Sequence, residues 1–320
     1  MHLKVCYSPD ADDVFMFWAL EKGLIPSSHR FTFGRRDTQS LNLLAARGEA
    51  DICAVSAAAV PGLLKQYRLL PHGGSVGDNY GPVVVTMRHE DEGRRARRPY
   101  TNAESMSGRA GGVPRSDESR GSRQGDTPCP PPPEPVAIPG EHTTAALVLR
   151  LLHPGIRTVE VPISPFAEAF NCLRDGRASA SLLIHEGRLT YEREGCELIE
   201  DIGISWMKRT GLPLPLGVNV IRRDLPETLQ RELESLLRES LKWAKMHRDT
   251  VIKGILQEKL GNLRTHDELV RYLDLYANDD TQQFSSRAVD GLRRLFAEGS
   301  KAGLLRTPVP QSELDGSYWR

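Results

Sequence analysis

His185 follows the apolar run Leu182-Leu183-Ile184 and is itself followed by Glu186, Gly187 and Arg188. An imidazole with an unperturbed pKa of about 6.5 suits proton abstraction at neutral pH. A histidine that merely hydrogen-bonds at a strand–helix junction would occupy the same position, so both readings stand. Thr143 and Thr144 follow Pro139-Gly140 and open a helical stretch. Two hydroxyls beside free helical N–H groups make a seat for a carboxylate or phosphate, whereas capping alone accounts for one of them. Ser56 ends an apolar run and is explained by an N-cap as well as by a pocket. Ser8-Pro9-Asp10-Ala11-Asp12-Asp13 places three acids where a strand gives way to a helix. There they complement the helix dipole and its free donors. A metal is the other reading, but no second carboxylate cluster accompanies them.

These side chains need strands and helices to position them. Leu3–Tyr7, Arg30–Phe33, Asp51–Ser56 and Pro82–Met87 read as strands; residues 12–22, 40–47 and 57–67 read as helices. Further on, Val136–Ile138, Thr158–Val161, Ser179–Ile184 and Leu216–Ile221 are expected strands, with a helix over 142–152. Ser164 as N-cap, Pro165 at the first helical position and Gly176 after the end punctuate another helix. From Pro226 the chain reads as helical, with Leu229, Leu233, Leu236, Leu237 and Leu241 on one stripe; Ala288, Leu292, Leu295 and Phe296 mark the last helix. Alternation of this kind implies βαβ units, hence a two-lobed α/β protein with mixed, mainly parallel sheets. In such sheets ligands lie beyond the carboxyl ends of the strands, where the polar residues above are found.

Composition narrows the classes. The 320 residues carry 42 basic and 42 acidic side chains. That balance argues against nucleic acid as a partner, and no apolar run approaches the roughly 20 residues of a membrane helix. Cys6, Cys53, Cys129, Cys172 and Cys196 are scattered, as in a reduced chain, and the start lacks a signal-peptide pattern, so a cytoplasmic location is expected. Dinucleotide, P-loop, zinc-protease and serine-hydrolase motifs are absent. Of the 22 prolines, eight fall within residues 89–135. That segment is poor in apolar side chains and reads as a disordered insertion.

The blocks Ser8-Pro-Asp-Ala-Asp-Asp-Val-Phe-Met-Phe-Trp, Leu41-Asn42, Tyr80-Gly-Pro-Val-Val-Val, Ile138-Pro-Gly-Glu-His-Thr-Thr-Ala, Ile184-His-Glu-Gly-Arg-Leu-Thr-Tyr and Thr210-Gly-Leu-Pro-Leu-Pro-Leu-Gly occur in this order. The chain in this respect resembles the 1,4-dihydroxy-6-naphthoate synthases of the futalosine route to menaquinone. The resemblance implies the two-lobed type II fold of periplasmic binding proteins, with residues 1–88 and 217–320 as lobe one and 136–216 as lobe two. It implies a lyase that converts cyclic dehypoxanthine futalosine to 1,4-dihydroxy-6-naphthoate and releases dihydroxyacetone, without a cofactor. By matching motif, His185 is the expected proton acceptor. Thr143 and Thr144 are expected to hold a substrate carboxylate, with Ser56, Asn42 and Asp13 as further pocket residues. Many relatives carry Cys-Pro-Asn where this chain has Asp10-Ala11-Asp12, and some place a lysine near Ala54-Val55. A non-catalytic small-acid binding module and a chorismate-dehydratase-like sister activity are the competing readings.

Overall fold

The computed structural model describes residues 1–88, 130–163, 166–314 and 316–319. The first half runs β1 (His2–Tyr7), α1 (Ala11–Glu21), β2 (Arg30–Arg35), α2 (Thr38–Ala46), β3 (Ile52–Ser56), α3 (Val60–Leu63), β4 (Tyr67–Leu69), β5 (Ser75–Gly77) and β6 (Val83–Met87). It continues with β7 (Val136–Ile138), α4 (Thr144–Leu152), β8 (Thr158–Glu160), α5 (Glu168–Arg174), β9 (Ala180–Leu183), α6 (Gly187–Thr190), β10 (Cys196–Asp201), α7 (Ile202–Thr210) and β11 (Leu214–Arg222). The helices α8 (Glu227–Met246), α9 (Arg248–Glu258), α10 (His266–Tyr276), α11 (Asp279–Gln282) and α12 (Ser286–Lys301) complete it.

The strands form two sheets. The first is ordered β2-β1-β3-β11-β4, with β5 also on β11, and the second β10-β6-β9-β7-β8. Both are mixed. Parallel ladders join β1 to β2 and β3, and β7 to β8 and β9. The returning strand β11 runs antiparallel to β3, β4 and β5, and β6 runs antiparallel to β9 and β10. Pairing also corrects the lobe boundary: Val83–Met87 belongs to the second sheet, not to the first lobe. Its register sets Val83 against Leu183 and Val85 against Ser181, and Val83 and Val85 are buried with Ala137, Phe170 and Leu183. The chain therefore crosses between sheets at Asp78–Pro82, ahead of residues 89–135, and returns into β11. The crossing is tight. A side chain on Gly203 would meet the Tyr80 carbonyl at 2.2 Å and the Gly81 nitrogen at 2.3 Å, so only glycine lets these backbones pass.

Other boundaries shift for local reasons. Pro61-Gly62 lowers helix propensity, and the helix expected over 57–67 reduces to a 3₁₀ turn at Ala57–Ala59 followed by α3, with Tyr67 already in β4. Ser164 and Pro165 lie outside the described residues, where α5 begins at Glu168. Of the expected insertion, residues 89–129 also lie outside them. Its end is anchored: Glu134 pairs with Arg157, its carbonyl accepts the Ser179 hydroxyl, and Pro135 accepts the Ser179 N–H.

Helix α1 is buried on all sides, because β1 covers one face while α8, α9 and α10 cover the others. The expected leucine stripe of α8 is buried here, and Ser240 bonds to the Met16 carbonyl and the Leu20 N–H. A second apolar cluster runs from α2 and β3 through α4 and α7 to α12, so α4 is packed against first-lobe elements. This fixes the amino end of α4 and the start of α1 beside the same cleft.

Candidate active site

The cleft, of about 640 Å³, is lined by Asp13, Ser56, Thr143, Thr144 and His185, five of the six residues expected at the site. The sixth, Asn42, stands behind the wall. Its amide donates to Ser56 Oγ at 3.1 Å and to the His142 carbonyl at 3.1 Å, and its Oδ1 accepts the Ser56 N–H at 2.8 Å. Asn42 thereby spends both ends of its amide on orienting Ser56, whose side chain makes no capping bond.

The two threonines divide their work. Thr143 is the N-cap of α4: its oxygen accepts the Ala146 N–H at 3.2 Å and its hydroxyl donates to Gly140 at 2.8 Å. The Thr144 hydroxyl donates to the Leu216 carbonyl at 2.7 Å and accepts the Ala58 N–H at 3.1 Å. Both hydroxyls are thus committed to the protein. What remains open at this end are the N–H groups of Thr144 and Ala145, which have no partner among the described residues. An anion seat here is made of backbone amides.

Across the cleft, His185 follows β9 with φ of 50°, in the left-handed region that a non-glycine residue seldom adopts. Its Nε2 lies 2.8 Å from Thr38 Oγ1 and 3.4 Å from Asp10 Oδ2. Burial alone would pull the imidazole pKa down. The negative field of Asp10, Asp12, Asp13 and Glu186 outweighs burial, and the net shift is upward. Burial pushes Asp10 up too, against the pull of His185.

The acids at the start of α1 do not cap it. Asp10 occupies the N-cap position without a side-chain capping bond. Asp12 is turned away from that role and accepts from the Ser75 hydroxyl at 2.6 Å and the Tyr272 hydroxyl at 3.0 Å. Asp13 accepts the Ser8 N–H at 2.9 Å, while burial and the neighbouring charge of Asp12 push it up to about 7. No metal-holding group of three or more His, Cys, Asp or Glu side chains occurs among the described residues.

Glu186 is fully buried. Its Oε2 accepts the Asn262 N–H, whereas Oε1 has no partner. Burial first, then the charge of Asp10, pushes this carboxyl up to about 8. Arg188, three residues after His185, is committed elsewhere, to Asp201 and the Gly81 carbonyl.

Thr38, Ser75 and Tyr276 line the cleft without having been singled out from the sequence. Thr38 opens α2 after the Asp37 cap, at the carboxyl end of β2, so the junction rule applied to every strand would have found it. Ser75 sits in a three-residue strand hidden by Gly73-Gly74, and Tyr276 closes α10; neither carries a local signal.

A family model described as menaquinone biosynthesis matches residues 3–105 and 118–301. The chain belongs to this family. It is 31% identical to a 1,4-dihydroxy-6-naphthoate synthase of Thermus thermophilus and 29% identical to one of Streptomyces coelicolor, covering 97% of this chain and of each relative. Membership makes it an enzyme of menaquinone synthesis in the 1,4-dihydroxy-6-naphthoate synthase family. Among solved structures, a protein of Archaeoglobus fulgidus matches with a TM-score of 0.76 at 30% identity, covering 95% of this chain and 98% of that one. The alkanesulfonate-binding protein of Xanthomonas axonopodis pv. citri matches with a TM-score of 0.64 at 11% identity, over 96% of this chain and 94% of that one. At that identity the likeness concerns the fold: the family is built on the two-lobed α/β architecture of periplasmic binding proteins. No helix among the described residues is long and apolar enough to cross a membrane.

Proposed function

We propose that the protein is a carbon–carbon lyase that converts cyclic dehypoxanthine futalosine to 1,4-dihydroxy-6-naphthoate with release of dihydroxyacetone, and that His185 is the proton acceptor. The observation that carries this reading is one cleft holding two complementary ends. The imidazole of His185 lines it on the β9 side, and the unpartnered amides of Thr144 and Ala145 open at the start of α4. A carboxylate seated on the amides would leave the rest of the substrate extended toward the imidazole. Binding energy from the anionic end then serves to orient the reacting bonds. The carboxylates around the buried imidazole raise its affinity for a proton against the pull of burial, which makes it a stronger base. Ser56, held by Asn42, and Asp13 supply further polar contacts along the wall.

The test is to incubate the purified protein with cyclic dehypoxanthine futalosine and, separately, with chorismate, following products by mass spectrometry. Formation of 1,4-dihydroxy-6-naphthoate and dihydroxyacetone from the first alone is expected, with a loss of at least about 10²-fold for His185→Asn. Conversion of chorismate would assign the sister activity. Ligand-induced stabilisation without turnover would leave a binding module.

A further inference from the structure

The ring of His185 is held by one nitrogen only. Nε2 faces Thr38 Oγ1 at 2.8 Å and Asp10 Oδ2 at 3.4 Å, while Nδ1 has no hydrogen-bond partner among the described residues and the ring lines the cleft. A neutral imidazole carries one N–H and one lone pair, and the partner of one nitrogen decides the state of the other. A proton on Nε2 is shared with the Thr38 oxygen at 2.8 Å and is drawn by the Asp10 carboxylate, which lies 3.4 Å away as an ion-pair contact. A lone pair there would face the lone pairs of Asp10, which is repulsive. The carboxylate is available for this because the Asp10 side chain, although at the N-cap position of α1, makes no capping bond. Its backbone is fixed instead, by an N–H donated to Ser8 Oγ at 3.2 Å.

We propose that Asp10 is a positioning residue for His185: with Thr38 it holds the ring as the Nε2–H tautomer, so that Nδ1 is the atom that accepts the substrate proton. The inference rests on His185 being the base. In the step itself a proton leaves the substrate for the Nδ1 lone pair, the Nε2 proton stays in place, and the resulting imidazolium lies against the Asp10 carboxylate. The ring returns to its starting state when Nδ1 passes the proton to product or solvent. No other reactant is needed. Asp10 and Thr38 belong to first-sheet elements and His185 to the second sheet, so the tautomer is fixed only while the two sides of the cleft are together. The titratable groups facing the imidazole are Asp10, Asp12 and Asp13 from the start of α1 and Glu186 beside it; all four are acidic. Removing the charge of Asp10 therefore moves the imidazole pKa downward.

Two measurements test this. In Asp10→Asn, which keeps the side-chain shape, kcat is expected to fall about 10²-fold with KM changed less than about twofold, and the acidic limb of the kcat/KM profile to move to lower pH. Thr38→Val, which keeps the charge, is expected to leave that limb in place. A kcat and limb in Asp10→Asn equal to those of the parent would overturn the proposal. Nitrogen-15 NMR of the unmodified protein with 1,4-dihydroxy-6-naphthoate added, the His185 signals identified by their loss in His185→Asn, reads the tautomer whether or not the Asp10 variant folds. Protonation at Nε2 supports the proposal and protonation at Nδ1 overturns it. A His185→Asn protein as active as the parent would instead remove the base assignment, an outcome separate from either reading of Asp10.

Discussion

The carboxylate of Glu186 accepts the backbone N–H of Asn262, joining the residue next to His185 to the loop between α9 and α10. The approach is close enough that a side chain on Gly261, itself at φ of +65°, would meet Glu186 Oε1 at 2.3 Å. The loop and the carboxyl are built around each other.

That carboxyl makes folding pH-dependent. It titrates at about 8 in the folded protein, against 4.5 for the unperturbed group. Between these values the folded chain binds a proton that the unfolded chain has released, so stability falls as pH rises through the window and levels off above it. Asp13, pushed to about 7, and the upward-shifted His185 act in the same direction. Glu186→Gln removes this titrating carboxyl while keeping its shape. Its thermal midpoint should decline less than the parent's between pH 5 and 8, and at pH 8 the variant should be more stable, by on the order of 1–4 kcal/mol. Parallel melting curves across that range would show that the buried carboxyl carries no such proton.

Thr144 ties α4 to two first-lobe segments through Leu216 and Ala58. Thr144→Val keeps the volume but leaves a buried N–H and a buried C=O without their partner. A loss of about 1–3 kcal/mol in unfolding free energy is expected, together with a raised KM, because the adjacent amides are then free to shift. Denaturant unfolding and steady-state kinetics on the same preparation check both. An unchanged KM would separate the strut from the anion seat.

Asn42→Asp replaces the donor half of the amide with an acceptor. The bond to the His142 carbonyl is lost and the new charge faces that oxygen, while the Ser56 hydroxyl must turn from accepting to donating. Stability should drop by about 2 kcal/mol, and KM should rise more than kcat falls, since Ser56 loses its orientation while His185 is untouched. A fall confined to kcat would place Asn42 in the chemistry rather than behind the wall.

The parts of the fold legible in the sequence were those where pattern and burial coincide. β3 and β7 are short runs buried throughout, β1 alternates until Val5 and is buried from there on, and the stripes of α8 and α12 face a core directly. β10 was not legible: Glu197, Glu200 and Asp201 interrupt it, and it is held by pairing with β6, with Glu200 satisfied by His153 and Ser205. His185 and Ser56 could be found because each ends an apolar strand. The use of Asp10 and Asp12 could not, because their partners come from β9, β5 and α10, far away in the chain. Locally, three acids at a helix start look like caps; only the folded partners show that they are not.

The order of strands has a consequence for synthesis. All five strands of the second sheet lie between Val83 and Asp201, so that sheet has its full complement once Asp201 has emerged from the ribosome. The first sheet cannot be completed then, because β11 must insert between β3 and β4, pairing Gly217 with Ser56. Until Arg222 is made, the β3 edge stands open, and an open apolar edge is where a nascent chain pairs with the wrong partner. The lobe that is begun first is finished last.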